Sequence, residues 1–342
     1  MTGPRSRLVT GLVTGLVTCL VVAALGAGCG HQPDTSLHPD PPNIRYAPLR
    51  HPFHDVTLYV DTNTAAARWQ QAHGADWLDP ITSRPQARWI NGPRDLAGVP
   101  RLVTRARDRG ELPVFVAYYI PNRGCTDFKQ GAPDTAAYDA YLRDLVDALG
   151  AVSSVIVLEP DAAAADCYNA ARGKLLTRAV KALTSAGHSV YLDAGHARWR
   201  PPGEMATRLL QSGIAAAEGF AVNVANRQTT IDSYRWGLEL SDLVGDRDFV
   251  IDTSRNGSGP PPDDPKRDDE WCNPRRQALG AAPQVTHRRH LAALLWIKAP
   301  GESDGKCGGE DTFLFSPTQA SNLIAAARWL PQAERDAARS AS

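Results

Sequence analysis

Glu159 and Asp161 are two carboxylates separated only by Pro160, and they end a run of four β-branched or aliphatic residues, Val155-Ile156-Val157-Leu158. Such a run suits a strand covered on both faces, and Pro160 has no amide proton with which to continue a ladder. A carboxylate fixed at the C-terminal end of a parallel strand sits where α/β barrels carry out proton transfer. An Asp after a βα turn is also a common helix N-cap, so on its own Asp161 is open to either role. What separates them is whether other strand ends repeat the pattern.

They do. Short apolar runs occur at residues 56–60, 114–117, 155–158, 190–192, 220–222, 249–251 and 294–297. Helical periodicity fills most of the intervals, at 95–109, 135–149, 170–186, 204–212 and 231–243. This alternation predicts a parallel sheet with helices outside it. Each apolar run is followed by polar residues, among them Asp61-Thr62-Asn63, Asp193-Ala194-Gly195-His196, Asn223, Asp252-Thr253-Ser254-Arg255-Asn256 and Lys298 through Asp304. Seven strands fit an open sheet or a barrel one strand short of eight. Polar groups at nearly every strand end favour the barrel, whose C-terminal rim gathers them round one pocket.

The chain's 342 residues are 43% apolar and 22% charged, with 37 basic side chains against 37 acidic ones. That is ordinary globular composition, and no basic excess points to nucleic acid. Arg5 and Arg7 precede an apolar stretch at 8–27 that ends in small residues, so residues 1–30 read as a secretory signal or an uncleaved membrane anchor. Cys29 follows Leu25-Gly26-Ala27-Gly28, an imperfect lipoprotein cleavage box whose large aliphatic residue lies one position too far upstream. Residues 31–52 carry six prolines and read as an extended linker, 53–332 as the barrel and 333–342 as a tail. Outside the leader four cysteines remain, Cys125, Cys167, Cys272 and Cys307, enough for two disulfides in an oxidising compartment and compatible with three connectivities. Their spacings include no Cys-x-x-Cys, and no His-Glu-x-x-His pair occurs, so no metal and no cofactor is expected.

Five segments together carry a resemblance: Tyr118-Tyr119-Ile120-Pro121-Asn122-Arg123-Gly124-Cys125, Val157-Leu158-Glu159-Pro160-Asp161, Asp193-Ala194-Gly195-His196, Trp271-Cys272-Asn273 and Lys298-Ala299-Pro300-Gly301-Glu302-Ser303-Asp304-Gly305. In type and order this set, spanning about residues 55–330, resembles the signature segments of glycoside hydrolase family 6, the inverting β-1,4-glucanases. The resemblance implies a distorted seven-stranded parallel β/α barrel, in agreement with the strand count above, and cleavage of cellulose or a related β-glucan polysaccharide. An inverting glycosidase needs one carboxylic acid to protonate the leaving oxygen and a second carboxylate, far enough away to admit water, to assist attack. Asp161 matches the general acid and Asp304 the base, with Tyr118 and Arg123 in the same catalytic group. Glu159 has two readings, as a direct participant or as a buried partner.

Flat aromatic rings suit the apolar face of glucose while polar neighbours take its hydroxyls. Trp89, Trp199 and Trp271 match the family's sugar subsites, with Asp193, His196, Asn223, Asn226, Lys298 and Glu302 as further substrate-binding candidates. Trp236, Trp296 and Trp329 are expected in the core. The family implies the pairings Cys125–Cys167 and Cys272–Cys307. Only Gly305 and Lys306 separate Asp304 from Cys307, too short for the long loop that roofs the cleft of processive members, so endo action by a secreted monomer is expected. One departure stands out. The family has Arg-Asp-Cys where this chain has Arg123-Gly124-Cys125, and a carboxylate there would help to keep the acid protonated. The alternatives are therefore a glucanase weakened by Gly124, an impaired glycan-binding protein of the same fold, and an unrelated α/β-barrel hydrolase.

Overall fold

The computed structural model describes residues 44–125, 131–262, 272–274, 276–307 and 314–341. The leader, most of the linker and Trp271 lie outside the described residues. The chain runs β1 (Thr57–Leu58), α1 (Ala65–His73), α2 (Asp79–Thr82), β2 (Arg88–Ile90), α3 (Val99–Arg109), β3 (Glu111–Leu112), β4 (Val114–Ala117), α4 (Thr135–Leu149), β5 (Val155–Leu158), α5 (Ala170–Ser185), β6 (Ser189–Asp193), α6 (Pro202–Gln211), β7 (Gly219–Val222), α7 (Thr230–Leu243), β8 (Asp248–Asp252), β9 (Gln284–Arg288), β10 (Leu291–Leu295), α8 (Pro317–Ala326) and α9 (Gln332–Ser340).

Strands β2, β4, β5, β6, β7, β8 and β10 lie side by side in that order, all parallel, and β9 adds an antiparallel eighth strand beside β10. The two ends of the parallel set meet. Ala87 N–H donates to Trp296 O at 2.9 Å, and the Trp89 indole donates to Ile297 O at 2.7 Å. The sheet thus curls into a distorted barrel, closed at this seam by isolated bonds instead of a ladder.

The seven parallel strands are not quite the seven apolar runs. The run at 56–60 contributes only β1, which pairs with β3 in a separate two-stranded sheet. Pro113 follows β3 and has no amide to extend that pairing. The first barrel strand is β2 instead, three residues containing an arginine and a tryptophan, too short and too polar to register as an apolar run. Residues 44–52, read as linker, are held against the barrel: the Glu218 carboxylate accepts the consecutive amides of Arg50 and His51 at 2.9 and 2.7 Å. Residues 333–342, read as a tail, are helical as far as Ser340, and Ala338 is buried.

The core follows the two-residue period of the strands. Val116, Val157, Tyr191, Ala221, Val250, Ala293 and Leu295 fill the barrel interior, whereas Phe115, Ile156, Leu192, Phe220 and Phe249 pack outward with helix residues such as Leu145, Leu176 and Leu240. Glu159, Asp193, Asn223 and Asp252 continue the inward-facing series of β5, β6, β7 and β8, so the same alternation that builds the core delivers polar groups to one end of it. Trp236 and Trp296 are buried as expected. Trp329 is not: it is 41% exposed in the α8–α9 connection, with Arg84 over its ring at 5.1 Å.

Candidate active site

A cleft of about 550 Å³ opens at the C-terminal end of the parallel strands. Of the residues singled out in the sequence, Trp89, Tyr118, Asp161, His196, Trp199, Asn226, Lys298 and Asp304 line it. Asp161 follows β5 and Asp304 follows β10, with β6, β7 and β8 between those strands in the sheet. At about 4.8 Å per strand spacing, the two carboxylates face each other across the barrel mouth.

The turn that carries Asp161 is held in a costly conformation. Glu159 and Asp161 have φ of +50° and +70°, the left-handed region that side chains disfavour by roughly 1 kcal/mol or more each. Two carboxylates offset that cost. Glu159, fully buried, accepts the Tyr119 amide at 3.0 Å and the Ile120 amide at 2.9 Å, while Asp193 Oδ2 accepts the Asp161 amide at 2.7 Å. The N-cap role for Asp161 falls away, because α5 is capped by Asn169, whose side chain accepts from Arg172 N at 3.0 Å. Burial pushes the Asp161 carboxyl up to about 6. Asp193 beside it is raised further from the ordinary carboxylate range, by burial first and then by the charge of Asp161. Burial also lifts Glu159 to about 7, against the pull of its two backbone donors.

Asp304 is the opposite case. Arg227 Nη2 and Arg255 Nη1 both donate to its Oδ2 at 2.9 Å, Arg255 Nη2 lies 2.8 Å from Oδ1, and Asn273 N donates at 3.1 Å. Although burial works against ionisation, Arg255, Arg227 and Lys298 hold this carboxyl well below the usual range. One wall of the cleft therefore carries a carboxyl that keeps its proton to about pH 6, and the other a carboxylate that stays charged.

Trp89 and Tyr118 meet edge to face at 5.3 Å, and the Arg123 guanidinium lies 4.1 Å over the Tyr118 ring while donating to Tyr118 O at 2.7 Å. Arg123 thus braces Tyr118 from outside the cleft lining. Burial and the neighbouring Asp161 raise the Tyr118 phenol above its ordinary value, which keeps it a neutral hydrogen-bonding group. His196 sits 5.5 Å from Trp199, and burial lowers it to about 4, so its imidazole is neutral at working pH. Gly195 is required here: its φ is +73°, and a Cβ would come within 3.0 Å of the Trp199 ring and 2.8 Å of Ala164. Lys298 Nζ donates to Ser303 O at 3.2 Å and lies 5.9 Å from the Trp89 ring centre.

Three candidates lie elsewhere. Asn223 is fully buried, with Nδ2 donating to Asp252 O at 2.9 Å and Oδ1 accepting from Gln228 N at 2.9 Å, so its amide braces the end of β7 and does not line the cleft. Asp193 supports Asp161 from below. Glu302 borders a smaller cavity behind the Arg227–Arg255 pair. Both disulfides join the pairs the resemblance implied, with Cα–Cα distances of 5.4 Å for Cys125–Cys167 and 6.0 Å for Cys272–Cys307.

Sequence reasoning missed Arg198, Arg227 and Arg255 as cleft residues, and Asp252 as its organiser. Asp252 accepts the amides of Ala225, Ser254, Ile297 and Lys298 at 2.9 to 3.2 Å, tying three strand ends together. Asp252 and Arg255 were visible as polar punctuation after a strand; nothing local marked Arg227, which reaches Asp304 across 77 positions of sequence.

The sequence description of "Glycosyl hydrolases family 6" matches residues 52–337. Endoglucanase A of Cellulomonas fimi is 41% identical over 263 residues, covering 74% of this chain and 57% of that protein. Endoglucanase 1 of Streptomyces halstedii is 33% identical over 306 residues, covering 81% and 92%. Among solved structures, the endoglucanase Cel6 from Mycobacterium tuberculosis, in complex with methyl-cellobiosyl-4-deoxy-4-thio-β-D-cellobioside, superposes with a TM-score of 0.74 at 36% identity, covering 80% of this chain and 98% of that one. With the family description matching nearly the whole described chain and its barrel shared with a solved member, this protein belongs to glycosyl hydrolase family 6.

Proposed function

We propose that the protein is a secreted, inverting endo-β-1,4-glucanase acting on cellulose or a related β-1,4-glucan. The observation that carries this reading is the pair of cleft carboxyls whose surroundings drive them in opposite directions, Asp161 up to about 6 and Asp304 well below the usual range. Asp161 gives its proton to the glycosidic oxygen as the bond to the anomeric carbon breaks. Asp304 stays ionised beside Arg227 and Arg255 and orients a water toward the opposite face of that carbon. Its low basicity makes it a late acceptor, taking the proton once the water oxygen has bonded and become strongly acidic. Trp89 and Trp199 supply ring faces for glucose, while neutral His196, Asn226 and Lys298 offer hydrogen bonds at the edges. The short Asp304–Cys307 connection and the similarity to bacterial endoglucanases support endo action, and the two disulfides support an extracellular setting.

Gly124 weakens this chemistry in the same account. The acid keeps its proton through burial, with no carboxylate at position 124 to assist, so hydrolysis fades as pH rises through about 6. The same absence favours the second reading, a glycan-binding protein that retains the aromatic rings but cleaves slowly. Carboxymethylcellulose separates the two. A glucanase releases reducing ends and collapses the viscosity early, and proton NMR finds the new reducing ends first as the α-anomer. Binding without release supports the second reading, and β-anomers appearing first would remove the inverting mechanism.

A further inference from the structure

At the N-terminal end of the parallel strands, opposite the cleft, three side chains bring metal-ligating atoms together. Asp242 lies in the last turn of α7, Asp246 in the connection from α7 to β8, and His290 in the turn between β9 and β10. One carboxylate oxygen of each Asp and one ring nitrogen of His290 lie within 4.8 Å of one another. The backbone that carries them is pinned: Phe249 donates its amide to His290 O at 2.7 Å, and Asp246 donates its amide to Ser241 O at 3.0 Å. No short motif marks the set, because it is the pairing of β10 with β8 that brings His290 to the two aspartates.

The distances suit a metal ion better than a hydrogen bond. His290 Nε2 is 3.5 Å from Asp246 Oδ1, long for an N–H···O bond. Two ligands held about 2.1 Å from a zinc ion in a tetrahedral array stand roughly 3.4 Å apart, so the observed separation matches one edge of a coordination shell. The far side of the ring is prepared as well. His290 Nδ1 faces Asp248 Oδ1 at 3.6 Å, and His51 Nδ1 reaches Asp248 Oδ2 at 3.2 Å. A carboxylate behind an imidazole fixes the tautomer whose other nitrogen can ligate. The His290 side chain is only 18% exposed, whereas Asp246 and Asp242 are 71% and 49% exposed, so the ring is held in place while the two carboxylates can swing to close the shell. Arg289 pairs with Asp242, but both side chains stand largely in water, where such a pair is worth little and yields to a divalent ion.

We propose that Asp242, Asp246 and His290 bind one zinc ion, with water completing its shell, and that the ion clamps the β9–β10 hairpin to the end of α7. One imidazole with two carboxylates is a donor set that suits zinc, whereas calcium and magnesium prefer oxygen alone. The partial negative charge at the C-terminus of α7, which carries no basic residue in its last turn, adds to the attraction for a cation. The site is remote from the cleft, so its effect is on stability, in keeping with the N-terminal face of a barrel. It stands whether or not the glucanase reading does.

Calorimetric titration of the full chain, stripped with a chelator and carrying no histidine tag, is expected to show zinc bound at one ion per chain and no matching response to calcium or magnesium. Zinc at about a hundredfold excess over its dissociation constant is expected to raise the melting temperature by roughly 3–5 °C. Absence of zinc binding overturns the proposal, and so does a calcium response equal to that of zinc. His290→Gln and Asp246→Asn are each expected to weaken zinc binding by about tenfold or more and to remove the thermal shift. Asn tolerates the left-handed backbone at position 246, where φ is +54°, and the side chain is exposed, so this variant folds even if the histidine variant does not. Unchanged zinc binding in Asp246→Asn overturns the site, because the ion would then sit on other histidines. Crystals soaked in zinc chloride are expected to give an anomalous peak between His290 Nε2 and Asp246, and peaks found only elsewhere overturn it as well.

Discussion

Asp193 Oδ2 accepts the backbone amide of Asp161 at 2.7 Å and that of Gly195 at 3.0 Å, so one carboxyl group fixes the turn that presents the other. Asp193 Oδ1, buried, has no partner among the described residues. Two carboxyls this close do not ionise independently, and the charge of Asp161, once formed, opposes ionisation of Asp193. The Asp193→Asn variant keeps an oxygen for both amides and mimics the neutral carboxyl. A general acid works only while protonated, so its limb of the pH–rate profile falls as pH rises. In Asp193→Asn that limb stays within a few tenths of a unit of the parent's, near pH 6, because burial is what raises Asp161 and Asp193 is still protonated as Asp161 ionises. Turnover against pH on a soluble β-glucan checks this, and a limb moved down by about 1 unit would show instead that Asp193 is charged beside Asp161.

Glu159 offers a stability test with a defined sign. Its folded-state value of about 7 lies above the ordinary 4.5, so the folded protein holds that proton over a range where the unfolded chain has released it. The contribution is greatest at and below pH 4.5, declines as pH rises to about 7, and is flat beyond. Glu159→Gln places an amide NH2 against the Tyr119 and Ile120 donors and is expected to cost about 1–3 kcal/mol. Denaturant titrations should show the parent's advantage over the variant narrowing between these two pH values. A constant gap would mean that Glu159 does not titrate there.

Gly124→Asp supplies the carboxylate that the family resemblance implies at that position. The expected result is an acid limb moved to higher pH by about 1 unit and faster turnover at pH 7. Unchanged turnover and an unchanged pH optimum would show that position 124 has no such role in this chain.

The Cys272–Cys307 disulfide braces both sides of Asp304, since Asn273 donates its amide to Asp304 and accepts the Asp304 amide at 2.8 Å. Replacing both cysteines by serine should cost about 2–4 kcal/mol of stability and lower turnover, because Asp304 loses its fixed position. Thermal unfolding alongside rates at 25 °C would read both effects; lower stability with full activity would separate the brace from the chemistry.

How far the sequence reached depends on whether a feature is local or assembled. The strand ending at Leu158, the stop at Pro160 and the carboxylates either side are contiguous, and period-two burial placed them at the rim. The first barrel strand was misread because β2 is three residues long and gains its place through the seam at Ala87 and Trp296, a contact across more than 200 positions. Asn223 looked like a sugar ligand because a polar residue after a strand usually reaches the rim; its amide instead satisfies buried backbone groups of Asp252 and Gln228. The two arginines on Asp304 come from the loops after β7 and β8, and only the closed barrel brings them together.

The central claim is that Asp161 delivers the proton that breaks the glycosidic bond, and Asp161→Ala on a soluble β-glucan tests it most directly. Turnover should fall by about 10³-fold while calorimetric affinity for a cello-oligosaccharide stays within a few fold of the parent. Turnover retained in Asp161→Ala would contradict the account, because no other carboxyl lining the cleft among the described residues keeps its proton as Asp161 does.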